Sequence, residues 1–245
     1  LGEEYLDQAE QTLLMVVEQD PTEPGYFTPA APQFRQALHR LGQLYARRGN
    51  HLAAIGRLES FLELYPEDER GADVRFLLAE SYRLAGAALR ETTNDAHSQR
   101  TLEALEEEFA MRTRRAAELY GEVIDAYESG REEDLTPLQR NDLRMAYLYR
   151  GDCLFDVGDY GKAIDYYEDA AYRHQADPLA LSAYWQMIVC HQRLGQLDEA
   201  RTIMGRARWL AQKLDPAEYT AGPLAIRKQR WQGKLDWLEQ SGLLT

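Results

Sequence analysis

Residues 41–66 read LGQLYARRGNHLAAIGRLESFLELYP, and their punctuation decides the fold. Leu41, Tyr45, Ala54, Leu58 and Phe61 fall at helical steps on either side of Gly49, and Pro66 closes the stretch. Two short amphipathic helices joined at a glycine turn satisfy that spacing. Residues 151–170, GDCLFDVGDYGKAIDYYEDA, carry the same outline through Gly151, Leu154, Gly158, Ala163, Tyr167 and Ala170. A phosphate loop needs Gly-x4-Gly-Lys-Ser/Thr, so that backbone N–H groups wrap the phosphates. Here Lys162 precedes Ala163 and Asp156 stands where the first glycine belongs, so the glycines are architectural. Gly151 is expected to let two helices approach closely, and Gly158 to make the turn.

Two further copies follow. Leu78, Ala79, Tyr82 and Gly86 occupy first-helix places, and Ala116, Tyr120, Val123 and Tyr127 have second-helix spacing. Against a period of about 34 residues, roughly 25 extra residues separate these halves. Tyr184, Met187, His191, Gly195, Ala200, Met204 and Ala207 form the last copy. At the amino end, Ala9, Leu13, Val16 and Pro21 repeat the spacing of Ala54, Leu58, Phe61 and Pro66, without a first helix before them.

The outline Leu-Gly-x-x-Tyr, Gly, Ala, Leu, Phe, Pro of residues 41–66 resembles the tetratricopeptide repeat. The resemblance implies an all-α fold, a right-handed α-solenoid of antiparallel helix pairs. Its expected divisions are a half repeat at 3–21, repeats at 35–68, 72–128, 137–177 and 181–214, and a capping helix at 223–242. Residues 87–115 form a helical insertion that lengthens the second pair, with a turn near 91–100. Residues 21–33, with four prolines, read as a linker. Thr136 and Pro137 suit an N-cap and a first helical residue. Leu1 is not an initiator methionine, so the chain reads as trimmed.

Composition agrees with helix: 44% hydrophobic and 28% charged, with only 9 prolines. The formal net charge is −13, which repels nucleic acid and favours a neutral or basic partner. Arg112, Arg114 and Arg115, and Arg227, Lys228 and Arg230, read as solvated helix faces. No apolar run reaches the ~20 residues of a membrane span. The two cysteines, Cys153 and Cys190, lack Cys-x-x-Cys spacing, and the five histidines lack metal-ligand spacing. No nucleophile elbow, His-Glu-x-x-His or dinucleotide motif is present, so neither enzyme activity nor a cofactor is expected. Cys190-His191 sits at packing positions of the last repeat.

By the resemblance, first helices line a concave groove for a protein or peptide ligand. Its ligand-facing positions carry over to Gln36, His39, Gln43 and Arg47; to Phe76, Glu80 and Arg83; to Leu148, Asp152, Phe155 and Asp156; and to Trp185, Gln192 and Arg193. Phe76, Phe155 and Trp185 would anchor the ligand. Equally, the second pair or the terminal helix could fold into the groove and bury the same rings. The lysines and asparagines that clamp an acidic peptide terminus in this family are absent from these places.

Residues 61–86, FLELYPEDERGADVRFLLAESYRLAG, also resemble bacterial envelope tetratricopeptide proteins of the outer-membrane-assembly lipoprotein and division-coordinator type. That places the protein in the bacterial envelope or periplasm, with the cytoplasm as the alternative. A structural oligomerisation module with a self-filled groove, and a regulatory domain of a larger enzyme, are the other functional readings. Oligomeric state is not legible in the sequence.

Overall fold

The computed structural model describes residues 2–19, 26–93, 99–215 and 228–242. Ten α-helices and one 3-10 turn, Glu132–Asp134, account for most of them, and no strand occurs among the described residues. The helices are α1 (Gly2–Val17), α2 (Pro32–Arg47), α3 (His51–Leu64), α4 (Gly71–Thr93), α5 (Gln99–Glu128), α6 (Pro137–Asp156), α7 (Tyr160–Arg173), α8 (Leu179–Arg193), α9 (Leu197–Lys213) and α10 (Lys228–Gln240). They divide into two compact units, residues 1–142 and 143–245, with the break inside α6.

One turn is used three times. Gly49, Gly158 and Gly195 adopt φ of 74°, 82° and 73°, where a side chain would be strained. Each glycine N–H bonds back three residues and the next N–H bonds back five, as in Asn50 N to Tyr45 O at 2.9 Å and Asp159 N to Leu154 O at 2.9 Å. This Schellman closure satisfies carbonyls that the ending helix leaves open. The following residue then starts the partner helix: the Asn50 and Asp159 side chains accept from the N–H groups of Ala53 and Lys162. The result is an antiparallel pair joined by a very short link.

In the first unit, α2 packs on α3, α3 on α4, α4 on α5, and α1 on α2. Leu41, Ala54, Leu58 and Phe61 are fully buried, each large side chain contributing about 1.5–3 kcal/mol. The helices nearly touch at Gly42, where an added Cβ would lie 2.7 Å from Leu58 Cγ. The long pair α4–α5 stays zipped beyond ordinary repeat length: the Arg90 guanidinium covers the Phe109 ring at 4.5 Å, and Arg112 reaches the Ala85 carbonyl. Arg112 and Arg115 are held by Glu108, Glu118 and Glu122. Thr136 and Gln139 cap α6 reciprocally, Gln139 N–H on Thr136 Oγ1 at 3.2 Å and Thr136 N–H on Gln139 Oε1 at 3.0 Å.

In the second unit, α7 packs on α8, α8 on α9, and α10 on α9. A Cβ at Gly151 would lie 2.6 Å from the ring of Tyr167, itself fully buried. Trp231, Leu235 and Leu238 of α10 are buried, so this helix covers apolar surface at the end of the unit. The expected Pro223 start of this helix, the 94–98 part of the turn, Pro21 with the rest of 20–25, His97 and Arg227 lie outside the described residues.

Candidate partner-binding site

Helix α2 turns Gln36, Arg40, Gln43 and Arg47 to solvent at steps of four and three, a single face of the helix. Two clefts flank that ridge. The first, about 450 Å³, lies between α1 and α2 and is lined by Ala9, Thr12, Leu13, Arg40, Gln43, Leu44 and Arg47. The second, about 480 Å³, lies between α2, the start of α3, and α4, with Ala46, His51, Leu77, Glu80, Ser81 and Leu84 added to Arg40, Gln43 and Arg47.

Charge in the second cleft is uneven. Arg40 donates to Gln43 Oε1 at 3.4 Å, and neither Arg40 nor Arg47 makes an ion pair among the described residues. Opposite them, Glu80 is half-buried 3.9 Å from Arg83, and burial pushes its carboxyl above the usual range. His51 is held below its usual pKa by burial and then by the charge of Arg83, so it is neutral near pH 7. Its Nδ1 is buried and has no hydrogen-bond partner among the described residues.

Gln43, Arg47 and Glu80 of the expected site meet here. His39 instead packs half-buried with its ring 5.8 Å from Phe61, and burial together with Arg70 and Arg40 lowers its pKa. Phe76 departs from the expectation: it is buried edge-on against Tyr120 with centroids 5.7 Å apart. The half-buried stripe of α4 that lines the cleft is Leu77, Glu80 and Leu84, with the fully buried Ser81 beneath it, donating to the Leu77 carbonyl at 2.8 Å; it lies one residue round the helix from the expected Phe76 and Arg83. Arg83 reaches the Tyr120 hydroxyl at 3.4 Å. Arg40 was legible as a 3–4 step beside Gln36, Gln43 and Arg47 on α2; Leu77 and Leu84 depended on the rotation of α4, and His51, on α3, carried no such signal.

In the second unit Leu148 is buried, which removes it as a contact. Asp152 accepts from the Tyr167 hydroxyl at 2.6 Å and from Gln186 Nε2 at 3.2 Å, so it organises the interior of the unit. Phe155 is half-buried with its ring 5.3 Å from Tyr160, and Asp156 is half-buried. The Lys234 ammonium of α10 lies 4.9 Å from the Trp185 ring and 5.0 Å from that of Trp231. Gln192 is half-buried and Arg193 exposed. Cys190 is fully buried and its thiol is pushed up to about 12, chiefly by burial, so little thiolate exists at neutral pH. His191 Nδ1 sits 2.8 Å from Gln196 Oε1. No group of three His, Cys, Asp or Glu among the described residues is placed to hold a metal, and no described helix is long and apolar enough to cross a membrane.

Residues 36–68 and 146–174 each match a tetratricopeptide repeat family model. The chain carries tetratricopeptide repeats. The first match spans α2 and α3, and the second cleft lies between this repeat and α4. Similar solved structures include BtubC (BKLC) from P. vanneervenii, at 14% identity and a TM-score of 0.47, with 97% of this chain and 89% of that one covered. MamA AMB-1 is similar at 16% identity and a TM-score of 0.34, over 74% of this chain and 94% of that one. No curated protein matches in sequence. Tetratricopeptide repeats serve protein interaction, and an interaction scaffold is the general role of this chain.

Proposed function

We propose that this tetratricopeptide-repeat protein is a non-catalytic scaffold that holds a protein or peptide segment against the α2–α4 face of its first unit. The cleft of about 480 Å³ carries the proposal, because it joins exposed polar ends on α2 to the apolar Leu77 and Leu84 on α4. A segment lying there gains apolar burial from one wall and orientation from the other. The chain average favours a neutral or basic ligand, whereas Arg40 and Arg47 make the cleft itself more favourable to an acidic one. An envelope location, with the cytoplasm as alternative, remains the reading carried by residues 61–86.

The second unit supports a different reading of its own first-helix face. Lys234 sits over Trp185, so α10 covers that ring, which favours a self-filled surface there. Affinity capture from cells that make the protein tests the proposal, using wild type beside Leu84→Trp, which crowds the second cleft from a half-buried position, and Trp185→Ala. A partner retained by wild type and Trp185→Ala but lost by a fully helical Leu84→Trp supports it; equal retention by all three refutes it.

A further inference from the structure

In the second unit, α7 and α9 both pack on α8 and run in the same direction. Their inner sides are buried through Tyr167, Ala170 and Ala171 on α7 and Ile203, Ala207 and Leu210 on α9. Their outer sides are open along two matched stripes, Asp165, Glu168 and Tyr172 on α7 and Arg206, Trp209 and Lys213 on α9, each at steps of three and four. Glu168 and Arg206, 3.7 Å apart, set the stripes side by side and fix their relative height. Tyr172 stands one turn beyond Glu168 and Trp209 one turn beyond Arg206, so two large aromatics, 74% and 60% exposed, lie at one level of this face. A single exposed ring is ordinary, whereas two at one level within a charged surround mark an interaction surface.

The surround carries opposite signs on the two helices. On α7, Asp165 and Asp169 are exposed and make no ion pair among the described residues, while Lys162 is held by Asp159 and Arg173 lies over the Tyr147 ring. On α9, Arg206 reaches across to Glu168, and the Lys213 ammonium lies 4.6 Å from the Trp209 ring. Asp198 holds Arg201 at the start of α9, and the exposed Glu199 lies about two turns before Arg206. A surface acidic along one helix and basic along its neighbour is complementary to itself once turned over. We propose that this face binds a second copy of the chain about a twofold axis lying between α7 and α9 and parallel to them. That axis lays α7 of each copy on α9 of the other at the same height. Tyr172 then meets Trp209 of the second copy, Asp169 meets its Arg206, and each contact occurs twice. None of these residues belongs to the α2–α4 cleft, so the dimer goes beyond the scaffold reading and does not depend on it.

Sedimentation velocity of the full chain over about a hundredfold range of concentration reads the association directly. A monomer–dimer equilibrium is expected, weakened about tenfold or more by Trp209→Ala, whose exposed position leaves helicity unchanged. Asp169→Arg and Arg206→Glu should each weaken the dimer that the variant forms with itself, because like charges then meet at both contacts. Mixed in equal amounts, the two variants regain a dimer: one contact keeps the original pair, and the other joins the two substituted positions with the charges reversed. A mass that stays monomeric at every concentration overturns the proposal, as does a dimer insensitive to Trp209→Ala and to both charge reversals. Failure of the mixture to associate more tightly than either variant alone removes the twofold register and overturns it as well. A different protein captured by wild type and lost with Trp209→Ala, while the purified chain stays monomeric, gives the face to that protein and overturns the dimer.

Discussion

A hydrogen atom in place of a methyl group at residue 151 sets how closely α6 and α7 approach. Gly151→Ala is expected to destabilise by about 1–3 kcal/mol, because Tyr167 is fully buried and its ring has nowhere to move. Gly205, in the middle of α9 with open space at its Cβ, behaves oppositely: Gly205→Ala should stabilise by roughly 1 kcal/mol through helix propensity. Urea titrations of the two variants read both signs. Charge at single residues also sets pH dependence. The Asp142 carboxyl is pushed up to about 6, first by burial and then by Asp73 and Glu80. Asp73 itself accepts from Tyr127 and Gln139. A raised acid stabilises the fold while both states are protonated, below about pH 4, and loses that contribution as pH climbs through 6, about 2–3 kcal/mol in all. Asp142→Asn should therefore flatten the decline in unfolding free energy measured between pH 4.5 and 7.5. Asp68 acts in the other direction: bound by Arg70 and Arg35 and held to about 2, it contributes stability above pH 4 that is lost as pH falls towards 2. Asp68→Asn should remove about 2 kcal/mol of stability at pH 6.

At the scale of elements, the repeat pairs were legible because their signals are local. Glycine turns, caps and 3–4 apolar steps lie within a few residues, so Gly49, Gly158 and Thr136 announce their helices directly. Rotation of a helix about its axis is not local. Each residue turns the surface by about 100°, so choosing Phe76 rather than Leu77 for the open stripe of α4 exchanged core for cleft. Only the packing of α5, which places Tyr120 against Phe76, decides between them. The same holds for α10, whose Lys234 covers Trp185 from about fifty residues away in sequence. Trp231→Ala, which removes a buried ring of α10, is expected to cost about 3–5 kcal/mol. In a Trp209→Phe, Trp237→Phe background it should also shift the remaining Trp185 emission to the red as the cover over that ring loosens.

For the whole molecule, net charge is a poor guide to the site. An excess of acids spread over 245 residues coexists with a first-unit face where Arg40 and Arg47 stand exposed, because many acids are engaged by arginines elsewhere, as Asp7, Glu10 and Glu18 are. The two units also use their first helices differently, one with clefts on both sides of α2 and the other with α10 over Trp185. The measurement that tests the scaffold reading most directly is photo-cross-linking in the cells that make the protein, with a benzophenone side chain at Gln43, at Trp185, or at the exposed Glu118 of α5. One discrete partner adduct is predicted from Gln43, which lines both clefts together with Arg40 and Arg47, and none from Trp185 or Glu118. Adducts of equal yield from all three positions, or from Glu118 alone, would contradict it.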